Sequence, residues 1–245
     1  MALLTRRRQP RTVDDTRMSV IEHLEALRRA LIICCVGWFA ATIAGYIVYK
    51  PVFVFLINRA HLPHEPTLLS PTEGIFIGVK VAFYLGLVVA SPIVFWQLWW
   101  FISPGLHAHE KRLVLPLIAA TTFFFLVGVG FAIYALPLFM GILNAFNPPE
   151  TTALWTADSI IAFVLAIVLA FGVVFELPVV LYTLGMLRVI SSRWLYRHRL
   201  YWVVALGLIA NVMTPGVDPF TPLLVFIPLW IFWEGTALLL KLSGR

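Results

Sequence analysis

The run ALIICCVGWFAATIAGYIVY, residues 30–49, is twenty residues long and carries no charge. A helix needs about 20 apolar residues to cross roughly 30 Å of hydrocarbon. In lipid, only helices and closed barrels satisfy their own backbone. Five further runs follow, at about 74–98, 113–143, 160–187, 200–213 and 222–240. Just 12% of the 245 residues are charged and 61% are hydrophobic, against about 25% charged in soluble domains. The expectation is an all-α integral membrane protein with six transmembrane helices, occupying residues 18–245. Residues 1–17 form a basic tail, expected to be disordered and not a cleavable signal, since no apolar segment follows within the expected distance.

Charge placement orients the chain. Fifteen of the eighteen Lys and Arg residues fall in the N-terminal tail, in the loop at Lys111 and Arg112, in the loop from Arg188 to Arg199, or in the C-terminal tail. Only Lys50 and Arg59 fall in loops on the other side, and Lys80 lies within a span. Short loops rich in Lys and Arg stay inside, so both termini are expected to be cytoplasmic. The formal net charge of +6 then reflects topology and contact with anionic lipid, and gives no case for nucleic acid. Trp96, Trp99 and Trp100, with Phe101, mark one interface, and Trp194 and Trp202 another. The fifth run is short: fourteen residues reach about 21 Å as a helix. Prolines at 92, 116, 137, 178 and 228 fall within spans, where each removes a hydrogen bond and favours a bend. Bent helices point to a concave bundle.

A few polar groups need a reason. Glu176, in AFGVVFELPVV, lies slightly past the middle of the fourth span. An acid near the bilayer centre costs about 2.5–3.5 kcal/mol on insertion scales, and desolvation favours its neutral form. Pro178 cannot donate to the carbonyl of Val174, which leaves an acceptor one turn away. Glu176 could bind within the bundle, carry a proton, or dock a second transmembrane helix. Ionisable groups within a membrane are functional candidates by default. Glu234 lies nearer the cytoplasmic end and could reach headgroups. At the expected cytoplasmic face, VIEHLEALRRAL places Glu22 and Glu25 on a short amphipathic helix, with Glu25 able to pair with Arg29. FISPGLHAHEKR places Glu110 in a tight loop. Carboxylates on a strongly basic face suit an incoming arginine, whose guanidinium meets a carboxylate with two parallel hydrogen bonds.

Catalytic signatures such as G-x-S-x-G, H-E-x-x-H and G-x-x-x-x-G-K-[ST] do not occur in the sequence, and no enzyme activity or cofactor is expected. The pairs His61/His64 and His107/His109 lack further soft ligands, so no metal site is expected. Cys34 and Cys35 are adjacent and read as small packing residues.

Four segments, HLEALRRAL, SPIVFWQLWWFISPGLHAHEKR, AFGVVFELPVV and MTPGVDPF, resemble in order those of the TatC family of the twin-arginine protein translocase. The resemblance implies a bent, glove-like six-helix scaffold. It implies a receptor for twin-arginine signal peptides of folded precursors, working with TatB-like and TatA-like single-span partners in an oligomeric complex. Export would be driven by the proton-motive force across a prokaryotic plasma (inner) membrane. By position, the resemblance places Glu110, Phe101 and Leu106 at the signal peptide. It places Glu176, with Pro178, against a partner helix, and marks Asp218 and Pro51 as further functional positions. The family carboxylate of the first segment falls on Ala26, with Glu25 and Glu22 as its replacements. Gly216 and Pro222 also depart from the family pattern. A proton-coupled small-solute carrier using Glu176 is the alternative, although no internal repeat of the kind carriers show is apparent.

Overall fold

The computed structural model describes residues 20–105, 111–146, 154–214 and 220–244. The described chain is helical, with one isolated bridge between Thr67 and Thr156 as its only extended pairing. The helices are α1 (Val20–Ile47), α2 (Tyr49–Ala60), α3 (Glu73–Ile102), α4 (Val114–Ala145), α5 (Ala157–Val174), α6 (Leu177–Met186), α7 (Ser192–Arg197), α8 (Arg199–Met213) and α9 (Thr221–Leu242). Five segments are long and apolar enough to cross a membrane: α1, α3, α4 with the turn before it, α5 and α6 together, and α9. The sixth, α8, stays short at fifteen residues.

The fourth span is the centre of the bundle. In its most apolar window 61% of residues are buried, against 11% for α1. Ile161, Val164, Ile167 and Phe171 of α5 are fully enclosed, surrounded by residues of α2, α3, α4, α8 and α9. By contrast α1 is packed chiefly along α3.

Glycine and alanine set how closely these helices approach. Gly37, Ala41 and Gly45 on α1, and Gly78, Ala82, Gly86 and Ala90 on α3, recur every four residues and so line one stripe of each helix. A Cβ on Gly86 would lie 2.7 Å from the backbone N of Thr42, and one on Gly45 would lie 3.1 Å from the carbonyl of Ala82. Lipid tails are as apolar as leucine, so close backbone packing of this kind is what drives helix association in membranes. A second seam joins α4 to α5, where Gly128 admits Phe175 and Gly172 admits the ring of Phe125.

Each proline leaves a carbonyl to account for. Pro92 withholds a donor from Val88, and the Ser91 hydroxyl donates to that oxygen at 2.8 Å. Pro137 withholds one from Ile133. Arg59 of α2 donates to it from Nε at 3.2 Å, and from Nη2 to Tyr134 at 3.2 Å. Its guanidinium also lies 5.8 Å from the Tyr134 ring centroid. Pro178 interrupts the fourth span outright: Glu176 N reaches back only three residues, to Val173, and α6 restarts at Leu177. Pro116 falls in the first turn of α4, where no donor is required.

Two expectations change here. The loop after the first span contains α2, whose backbone begins right after the bend at Val48. Its Pro51 is exposed in the first turn. Lys80, within the second span, forms an ion pair of 2.5 Å with Asp158 at the start of α5. Glu73 completes that polar end, accepting from the backbone N of Leu69 at 2.6 Å and of Asp158 at 3.1 Å. Thr67 exchanges backbone bonds of 2.9 and 3.0 Å with Trp155 and Ala157. The segment 61–72 is therefore tied to the head of α5.

Replacing Gly86 by Leu should separate α1 from α3 and cost about 1–3 kcal/mol through overpacking, read as a lowered unfolding midpoint in detergent. An unchanged midpoint would contradict the seam. Arg59→Met should cost about 1–3 kcal/mol by stranding the Ile133 carbonyl, and less when Pro137→Ala restores a helix donor. Equal costs in the two backgrounds would show that the arginine does not serve the proline's orphan acceptor.

Candidate functional site

Two groups of expected site residues and one further group can be placed, and three expected residues lie outside the described chain. The latter are Leu106, Glu110 and Asp218, whose surroundings the structure does not describe. Residues 1–19 are outside it as well.

The first group sits at the N-terminal end of α1. The helix is continuous from Val20, so the amphipathic segment and the first span form one rod with no turn between them. Glu22 and Glu25 are exposed and line a shallow depression with Ala26, Arg28 and Arg29. The expected Glu25–Arg29 ion pair does not form; the two exposed side chains face water, where such a pair gains little. Because Glu22 and Ala26 are one turn apart, both acids border the place where the family carboxylate is missing. His23 stacks on Phe101 with ring centroids 4.3 Å apart and planes inclined by 21°. That contact fixes the start of α1 against the end of α3. Phe101, two residues before the 3-10 turn Ser103–Gly105, is thereby brought to the Glu22/Glu25 surface.

The second group is Glu176 with Pro178. Glu176 occupies the break between α5 and α6, about two-thirds along the span from Ala157 to Met186, roughly 15 Å from its end at helical rise. The residue is half-buried. Its Oε1 is enclosed and has no hydrogen-bond partner among the described residues. Phe175 beside it meets Phe232 of α9 edge-on at 4.6 Å and Phe131 of α4 at 5.4 Å. The break that Pro178 imposes thus sets the acid next to an aromatic cluster centred on Phe175. A buried polar atom without a partner is costly, and one retained in a span is a place for a donor from elsewhere. No contact among the described residues joins Glu176 to the α1 group.

The third group was not expected as such. Glu234, read as a residue that could reach headgroups, instead lies 3.5 Å from Nη2 of Arg199, at the first residue of α8. Arg199 also stands 4.9 Å over the ring of Trp230, which stacks on the fully buried Trp233 at 4.8 Å. This acid is paired by charge within the bundle, although its Oε2, like Oε1 of Glu176, is enclosed without a hydrogen-bond partner among the described residues. Sequence spacing could not have paired residues thirty-five positions apart on different helices, although an arginine beginning one span and a glutamate near the end of the next, antiparallel one was the available signal.

This arrangement has close counterparts. The family described as Sec-independent protein translocase protein (TatC) matches residues 22–228. The Sec-independent protein translocase protein TatC of Aquifex aeolicus (strain VF5) is 36% identical over 234 residues, covering 93% of this chain and 97% of its own length. That of Carboxydothermus hydrogenoformans is 33% identical, covering 94% and 95%. A crystal structure of the twin arginine translocase receptor TatC superposes with a TM-score of 0.81 at 35% identity, over 91% of this chain and all of that one. The family match takes in α1 through the first turns of α9, and the structural match reproduces the same bundle: the chain belongs to the TatC family.

Proposed function

We propose that the chain is the core receptor and scaffold of a twin-arginine translocation system, a component of protein transport and not an enzyme. The observation that carries this reading is the match of nearly the whole bundle to a structure described as a twin arginine translocase receptor. In this reading the basic end of the bundle, with both chain termini, faces the cytoplasm of a prokaryotic cell, and the membrane is the plasma (inner) membrane. Twin-arginine signal peptides of folded precursors bind there. Glu110 meets signal-peptide arginine, with Leu106 and Phe101 alongside and Glu22 or Glu25 supplying the carboxylate absent at Ala26. The His23–Phe101 stack supports this by holding the α1 acids and the end of α3 as one surface. TatB-like and TatA-like single-span proteins join the complex, which holds more than one copy of the chain, and the proton-motive force drives export.

Glu176 with Pro178 is the docking point for a partner helix. The unpartnered Oε1 supports this role, since a donor presented by another span would satisfy it without a charge entering the lipid. Pro51 and Asp218 are assigned to the opposite face. The carrier alternative finds no support, as the matched proteins are described as protein translocase components.

Glu110→Arg should abolish co-purification of a twin-arginine precursor while the protein still inserts; unchanged binding would count against the receptor reading. Combined Glu22→Ala and Glu25→Ala should weaken the same co-purification by about tenfold, the scale of one charge-assisted hydrogen bond at about 1.5 kcal/mol. At the mid-membrane site, Glu176→Gln should export far better than Glu176→Ala, because a neutral hydrogen-bonding group suffices for docking. Equal loss of export in the two would argue instead for a proton that must be released.

A further inference from the structure

An apolar cavity of the described chain adjoins the second group, sharing Pro178 with it, and stands apart from the other two. It lies at the basic end, where the start of α4, the end of α6 and the end of α9 meet, and has a volume of about 430 Å³. Leu113, Leu117 and Phe124 form one wall, Tyr182 and Met186 the second, and Leu239 the third. Gly185 lets Leu240 close the back, where a Cβ would lie 2.8 Å from its Cδ1. The polar side chains in the lining do not face it as donors: Thr183, Thr236 and Ser243 each give their hydroxyl to a carbonyl of their own helix, at 2.6, 2.7 and 2.9 Å. The interior is therefore apolar.

Two of the three walls end in a cation; on the third, Lys241 lies on the other side of α9, in a separate depression with Arg193 and Tyr196. Arg112 directly precedes Leu113 and Arg188 follows Leu187 at the end of α6; both are exposed. Arg188 is held there with φ of 57°, a left-handed conformation, in the turn that closes α6 onto the carbonyl of Gly185. From Leu113 to Phe124 the α4 wall is about 16 Å long at helical rise. That is one leaflet, half of the roughly 30 Å hydrocarbon thickness. A spanning helix of a partner would need a groove twice as long. An acyl chain needs this one.

We propose that this cavity is a binding site for an anionic phospholipid of the leaflet at the basic end, its acyl chain between α4, α6 and α9 and its phosphate between Arg112 and Arg188. Basic pockets between spans bind anionic headgroups in this way. The occupant would fill the space between α4 and α6, below the break at Glu176, and so steady the elements that present that residue.

The test uses the full chain, purified in mild detergent, stripped of lipid and offered phosphatidylglycerol or phosphatidylcholine with identical chains. Native mass spectrometry then counts lipid retained per protein. The expected result is one phosphatidylglycerol, preferred over phosphatidylcholine by about tenfold or more, given roughly 1 kcal/mol per cation near the surface. Combined Arg112→Gln and Arg188→Gln should remove the preference, and Lys50→Gln at the opposite end should leave it intact. Ala120→Phe, which fills the cavity but keeps every cation, should reduce retention of both lipids. Glycerol phosphate in solution should not compete. Equal retention of the two lipids, preference surviving in the double variant, retention surviving in Ala120→Phe, or displacement by glycerol phosphate would each overturn the proposal. None of these readouts involves a signal peptide, so their failure leaves the receptor reading untouched.

Discussion

Hydrocarbon offers a backbone no hydrogen bonds, and that condition governs where this bundle can bend. Three of its prolines show three ways of meeting it. At Pro92 the repair is local, a serine hydroxyl one residue earlier turned onto the orphan carbonyl. At Pro137 it is tertiary, with Arg59 reaching from α2 to the α4 backbone. At Pro178 there is no comparable repair; the helix stops and starts again. Glu176 sits in that gap, beside Phe175, whose ring meets Phe131 of α4 and Phe232 of α9. The break in the fourth span is thus also a place where the bundle's internal bonding is left incomplete.

Close packing supplies the rigidity that makes such incompleteness tolerable. The glycine stripes of α1 and α3, and the Gly128 and Gly172 seam between α4 and α5, bring backbones together where bulkier residues would hold them apart. At the polar end, Lys80, Asp158 and Glu73 tie the segment after α2 to the head of α5. With α5 packed on nearly every side, the break at its end is held in one place. At the other end, the acids of α1 are joined to the end of α3 by the ring stack between His23 and Phe101.

Much of this was legible in the sequence because membrane insertion reads the same quantities: length of apolar run and distribution of Lys and Arg. The six apolar segments and the brevity of α8 follow from that arithmetic, and the quoted motifs pointed to the family. Other features were not legible, for physical reasons. α2 is an amphipathic helix of twelve residues, too short for a span and unremarked among loop residues. The Lys80–Asp158 and Arg199–Glu234 pairs join residues distant in the chain, and no local periodicity encodes them. The four-residue recurrence of small residues in α1 and α3 was there to be seen, but counting charge and apolarity treats glycine as neutral. The choice between Glu22 and Glu25 turns on partners outside the fold.

The lopsided burial of the first helix has its own consequence. Held along one stripe to α3 and open elsewhere, α1 exposes Val36, Phe39, Ile43 and Ile47 along most of its length. The protein's own interior makes few demands on those positions. Substitutions there should therefore act as a gauge of whatever surrounds the molecule, whether lipid thickness or a neighbouring subunit, while the rest of the architecture stands unaltered.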